Sequence, residues 1–173
     1  MKHILVVEDS PMVLKVLKQF ISQHDDLKPQ FAETLSQATE LIARATTPFF
    51  ACLADLSLPD GPNGEIVEFC LAKKLPTIVL TGSYNEENRK LLLARGVVDY
   101  VVKESRFAYE HAVKLLSRLT KNEKTQVLIT DDSDTERAHL KKLLKTHLFQ
   151  VAEKRSGGDR YSRKKTVYKT THH

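Results

Sequence analysis

Along its first 120 residues the chain switches hydrophobic period five times, from short continuous apolar runs to apolar residues three and four apart. Residues 4–7 form an apolar strand. After Ser10-Pro11, a capping residue and a first-turn proline, Val13, Val16, Leu17, Phe20 and Ile21 recur at helical spacing. A weaker strand is expected at 27–32. A helix capped by Thr34 then runs to Ala45, with Leu35, Ala38, Leu41 and Ile42 on one face. Strands at 49–54, 77–80 and 98–102 alternate with helices at 63–73, 85–94 and 107–119, and the second of these stops at Gly96. Five such units imply a parallel sheet covered by helices on both faces, an α/β fold.

The pattern then restarts. A polar stretch, Thr120-Lys121-Asn122-Glu123-Lys124-Thr125, reads as a linker (121–125). After it, Val127-Leu128-Ile129-Thr130-Asp131-Asp132-Ser133 repeats Ile4-Leu5-Val6-Val7-Glu8-Asp9-Ser10 at an offset of 123 residues. Leu140, Leu143 and Leu144 follow at helix spacing, then a short strand near 149–152. A repeat of domain length means tandem copies of one fold. The expected division is a first domain at 1–120, the start of a second, incomplete copy at 126–153, and a basic tail at 154–173 without helix or strand periodicity.

Charge follows this division. The tail holds seven Lys and Arg against Asp159 alone, while 1–153 holds 20 basic and 21 acidic residues. A nucleic-acid contact therefore rests on the tail only. No apolar run approaches the roughly 20 residues of a membrane span. The N-terminus has no secretory pattern, so cytoplasmic residence is expected. Cys52 and Cys70 sit in apolar surroundings and read as buried small hydrophobes.

In a doubly wound sheet, ligands bind at the carboxyl ends of the strands. Glu8 and Asp9 end the first strand, Asp55 the third, Thr81 the fourth and Lys103 the fifth. Three close carboxylates repel one another unless a cation joins them. Hard oxygen ligands suit Mg²⁺. Asp55, central in the set, could act as a nucleophile towards phosphorus, with Lys103 and Thr81 holding the phosphoryl oxygens.

In this order, Glu8-Asp9, Asp55 in "DLSLPDG", Thr81-Gly82 and Lys103 in "DYVVK" resemble the receiver domain of two-component response regulators over all of 1–120. The resemblance implies a flavodoxin-like five-stranded parallel sheet in the order 2-1-3-4-5. It also implies that Asp55 takes a phosphoryl group from a histidine kinase or phosphotransfer protein. Mg²⁺ would be held by Asp9, Asp55 and the Ser57 backbone carbonyl, with Glu8 acting through its water shell. Thr81 would move to the phosphoryl group and Tyr100 rotate into the space vacated, remodelling a face for an output domain or a homodimer partner. The family usually has Pro after the lysine, often with a cis bond. Here Glu104-Ser105 follows, so a trans bond or an altered loop is expected.

The second copy ends before a position equivalent to Asp55, so no phosphoacceptor is expected there. Tandem receivers of this look often precede a domain that makes cyclic di-GMP. Gly157-Gly158-Asp159 is not that domain's motif, because Arg160-Tyr161 follows. No output enzyme is expected, and the chain reads as a phosphoacceptor rather than an enzyme. Two other classes compete. One is a phosphorylation-independent interaction module on the same fold, which has no need of the complete acidic set. The other is a small phosphohydrolase, whose nucleophile would sit on the first strand in an Asp-x-Asp pattern that Glu8-Asp9-Ser10 lacks.

Overall fold

A computed structural model of the chain describes residues 1–155 and 166–170. It divides into two units, Met1–Ser117 and Arg118–His173.

The first unit holds five strands: β1 Lys2–Val7, β2 Leu27–Ala32, β3 Ala51–Asp55, β4 Thr77–Thr81 and β5 Asp99–Val102. All pair in parallel, in the order β2-β1-β3-β4-β5. The helices between them are α1 Pro11–Ile21, α2 Leu35–Arg44, α3 Glu65–Ala72 and α4 Glu86–Ala94. The helix α5, Arg106–Asn122, follows β5. This is the doubly wound, flavodoxin-like sheet expected from the period switches. Every residue of β3 and β4 is buried, as strands covered on both faces require.

Side chains alternate across a strand, so Leu5 and Val7 face one way and Ile4 and Val6 the other. Leu5, Val7, Cys52, Ala54 and Val79 pack with Ala38 of α2, Ile66, Val67 and Cys70 of α3, and Leu92 of α4. The opposite face is left for Leu14, Leu17, Phe20 and Ile21 of α1 and Ala112, Val113 and Leu116 of α5, all buried. Within Leu91-Leu92-Leu93, Leu92 is core, Leu93 is partly buried and Leu91 is exposed.

Helix starts follow local chemistry. Ser10 caps α1 by accepting the Val13 amide, and Asn85 caps α4 by accepting the Asn88 amide. Thr34 accepts the Gln37 amide of α2. The two amides before it, Leu35 and Ser36, donate to the carboxylate of Asp60 at 2.7 and 2.9 Å. The Pro59-Asp60-Gly61 turn therefore does more than redirect the chain after β3: its acid caps a helix 25 residues upstream. Helix α3 begins at Glu65 rather than Asn63, because Gly64 stands in the left-handed region at φ 83°.

In the second unit β6 Gln126–Asp131, α6 Asp134–Thr146 and β7 Gln150–Arg155 repeat the β1-α1-β2 start of the first. Two details differ from the sequence expectation. Helix α5 runs on to Asn122, so helical backbone takes up the start of the expected linker at 121–125. The stretch 154–173 contains a strand, β8 Thr166–Thr170, antiparallel to β6. Thr, Val and Tyr favour extended backbone, and the edge of β6 opposite β7 is where β3 would pair in a complete copy. The sheet order is β7-β6-β8. Gly157-Gly158-Asp159 lies outside the described residues.

Candidate functional site

Parallel strands in register bring their carboxyl ends to one edge. Val7 pairs with Ala54, Asp55 with Leu80, and Thr81 with Val102. Glu8 and Asp9 leave β1 there, Asp55 is the last residue of β3, and Lys103 follows β5. The sequence scatters these groups over 95 positions, and the sheet collects them.

Lys103 joins the acids. Its Nζ lies 2.7 Å from Asp55 Oδ2 and 3.1 Å from Glu8 Oε2. The other oxygen of Asp55 accepts the Ser57 amide at 3.2 Å, which fixes the loop after β3 against the carboxylate. The other oxygen of Glu8 accepts the Ser10 amide at 3.1 Å. Glu8 has no exposed surface and Asp55 has 4%, whereas Asp9 is exposed. One carboxylate oxygen from each of Glu8, Asp9 and Asp55 lies within 4.8 Å of the others.

Burial lifts the pKa of Glu8 above the ordinary glutamate value, and the negative charge of Asp55 adds to it; Lys103 and the Ser10 amide offset part of the rise. Burial works against the ammonium of Lys103. Its hydrogen bond to Asp55 and the charges of Glu8 and Asp55 outweigh that, and its pKa stands above the ordinary lysine value. The pocket is thus a net-acidic cluster in which one ammonium serves two carboxylates. Its donors are all hard oxygens, and Asp9 faces solvent, which fits a hydrated divalent cation such as Mg²⁺.

Thr81 and Tyr100 share an acceptor. The Thr81 hydroxyl donates to the Ser83 carbonyl at 3.1 Å, and the Tyr100 hydroxyl donates to the same oxygen at 3.3 Å. Tyr100 is 5% exposed and packs with Val79, Leu92 and Val97. The bond after Lys103 is trans, as expected without proline.

A model of the response regulator receiver domain family matches residues 4–113. The chain belongs to that family. Among curated relatives of this receiver is a protein of Vibrio cholerae named as a probable cyclic di-GMP phosphodiesterase. It is 31% identical over 104 residues, which are 58% of this chain and 23% of that protein. The response regulator protein PilR of Pseudomonas aeruginosa is 28% identical over 101 residues, 57% of this chain and 22% of its own. The receiver chain thus spans less than a quarter of the curated relatives it matches. A solved two-component system response regulator/GGDEF domain protein is 38% identical, with a TM-score of 0.80, covering 88% of this chain and 61% of that one. The HemR receiver domain of Leptospira biflexa, non-phosphorylated, is 25% identical with a TM-score of 0.58, over 68% and 94%.

Sequence reasoning placed Glu8, Asp9, Asp55, Thr81 and Lys103 at this edge, and the receiver's structure brings them together there. It did not anticipate the direct Glu8–Lys103 pair. Nor did it single out Tyr109, in the first turns of α5. Burial pushes that phenol's pKa up; Lys103 pulls it down, and Glu8 and Asp55 raise it further. Only its place six residues after Lys103, at the start of α5, could have hinted at this, and that signal is weak.

Proposed function

We propose that the chain is the phosphoacceptor of a two-component phosphorelay and that Asp55 is the acceptor. The observation that supports this best is Asp55 itself, at the open end of a fully buried strand, with one oxygen on Lys103 and the other on the Ser57 amide. In this reading an Asp55 oxygen attacks the phosphorus of a phosphohistidine in a kinase or phosphotransfer protein. The P–N bond breaks, the imidazole leaves and takes a proton, and an acyl phosphate forms. Asp9, Asp55 and the Ser57 carbonyl would hold Mg²⁺, which when bound supplies positive charge to the phosphoryl oxygens. Lys103 stays beside Asp55 and holds a phosphoryl oxygen as the new charge develops. Thr81 turns its hydroxyl from the Ser83 carbonyl to another phosphoryl oxygen. Tyr100 then becomes the remaining hydroxyl donor to Ser83, which couples the event to the segment ahead of α4.

An output domain or a homodimer partner would read that change, in the cytoplasm where a kinase supplies the donor. The domain limits 1–120, 121–125, 126–153 and 154–173 belong to the same proposal, with the acceptor Asp55 in the first domain.

Incubation with acetyl phosphate and Mg²⁺ should add the mass of one phosphoryl group. Asp55→Asn should abolish the addition, and a chelator should suppress it in the parent. Labelling that persists in Asp55→Asn refutes the assignment. No response to Mg²⁺ or beryllofluoride would favour the phosphorylation-independent module.

A further inference from the structure

The two units differ sharply in charge. Met1–Ser117 carries 13 Lys and Arg against 15 Asp and Glu, a net of −2. Arg118–His173 carries 14 against 7, a net of +7. The basicity is not confined to 154–173. Within α6 the charges segregate: Asp134 and Glu136 occupy its first turn, and from Arg137 to Phe149 the chain has Arg137, Lys141, Lys142 and Lys145 and no acid.

These four cations line a groove of about 440 Å³ beside α6, together with Asp134, Ala138 and Glu153 of β7. Arg137, Lys141 and Lys145 stand four residues apart, a row rising about 6 Å per step along the helix. That is the scale on which successive phosphates follow one another along a nucleic-acid strand. Leu144, on the same side of α6 as Arg137, and Leu140 next to it are partly buried, and exposed Leu143 falls on the side away from the row. A helix that lies in a membrane surface needs an apolar face beside its lysines, and Ala138 is the only apolar residue lining the groove. Beyond Glu153 the sequence adds seven more Lys and Arg against Asp159. A row this long and this lacking in apolar anchors matches an extended polyphosphate better than a folded acidic protein.

We propose that the C-terminal unit contacts the phosphate backbone of a nucleic-acid duplex along the α6 row. The contact carries no base readout, and its affinity comes from neutralised phosphates and released counterions. The row is already engaged within the unit. Glu153 holds Lys141 at 3.0 Å, and Arg137, its side chain 12% exposed, pairs with Asp134 and donates to the Asp131 carbonyl. A phosphate must compete with these contacts, and the lysines carry most of the binding.

The test uses the full chain and a short labelled duplex DNA, read by fluorescence anisotropy over a range of salt. Binding should weaken steeply with salt. The triple variant K141Q/K142Q/K145Q should bind at least about tenfold more weakly at low salt, and its plot of log affinity against log salt should be flatter by about 1 per lysine. The charge-preserving K141R/K142R/K145R should restore the slope. Glu153→Gln should bind more tightly than the parent, because it releases Lys141. Absence of duplex binding overturns the proposal. So does an unchanged slope in the glutamine variant, which would leave residues 154–173 as the carrier. Equal or tighter binding to phosphatidylserine vesicles than to duplex overturns it in favour of a lipid surface. None of these outcomes depends on Asp55.

Discussion

Lys103→Met tests the charge balance on which the pocket rests. One carboxylate oxygen of Glu8 and one of Asp55 lie within 4.8 Å of each other. At an effective dielectric of about 20 their repulsion is roughly 3 kcal/mol or more. Lys103 at 2.7 and 3.1 Å cancels it. Glu8 has no exposed surface and Asp55 very little, so water screens the pair poorly once the ammonium is gone. Removing one partner of a buried ion pair costs about 3–5 kcal/mol. A proton can take the place of the lost cation, so the loss must depend on pH. The pKa of Glu8 is already raised in the folded chain and would rise further in the variant. A carboxylate with a raised folded pKa binds more protons in the folded state between its unfolded and folded values, so stability falls as pH climbs through that window and levels off above it. The deficit of Lys103→Met should therefore be full at neutral pH and shrink in acid towards the ordinary glutamate value of 4.5. Urea titration followed by far-ultraviolet circular dichroism, at neutral pH and at mildly acid pH with chelator present, measures both. Adding Mg²⁺ should return part of the neutral-pH loss through binding to the folded state. A variant as stable as the parent at neutral pH, or a deficit that grows as pH falls, refutes the reasoning.

Leu53→Ala removes a fully buried side chain from the central strand and should cost about 2–5 kcal/mol in the same urea titration. Tyr100→Phe should cost little, near the low end of about 0.5–1.5 kcal/mol, because the Thr81 hydroxyl still satisfies the Ser83 carbonyl. Its larger effect should be on the mobility of the segment ahead of α4, read by hydrogen exchange. Asp60→Ala should expose the Leu35 and Ser36 amides to faster exchange. The Ser36 and Leu35 amides hold the Asp60 pKa below the ordinary 3.8, so its stabilising effect is present above that value and is lost as pH falls through the lower, folded one. Stability of the parent, but not of Asp60→Ala, should show that acid-side loss.

Much of this fold was legible because its signals are local. The period switches gave each strand and helix of the first unit, and β2 was read to its observed limits. Errors fell where tertiary context decides. Leu14, which the spacing passed over, is buried on α1 while Val13 and Val16 are half-buried, because facing is set by the sheet and not by apolarity alone. Strand β3 starts at Ala51 rather than at Phe49, whose ring packs partly against the core from outside the ladder. Strand β8 gave no signal as a repeat element, since its place follows from an edge on β6 that only the assembled sheet reveals. Asp60 looked like a turn former because the helix it caps lies 25 residues away.

The same division separates what the second copy reproduces from what it does not. Ser10 donates its amide to Glu8 and caps α1 with its hydroxyl. Ser133 donates its amide to Asp131 at 2.9 Å and caps α6 by accepting the Glu136 amide. Acid, acid and capping serine form a module that needs only a strand, a turn and a helix start, so it survives in a copy of one β-α-β passage. The contacts of Asp55 and Lys103 are different. Asp55 and Lys103 reach Glu8 only because three further strands stack beside β1 in parallel register. The acidic pair is thus necessary and uninformative by itself. What sets the first copy apart is a lysine 95 residues from the glutamate it pairs with, and only the five-stranded sheet brings the two together.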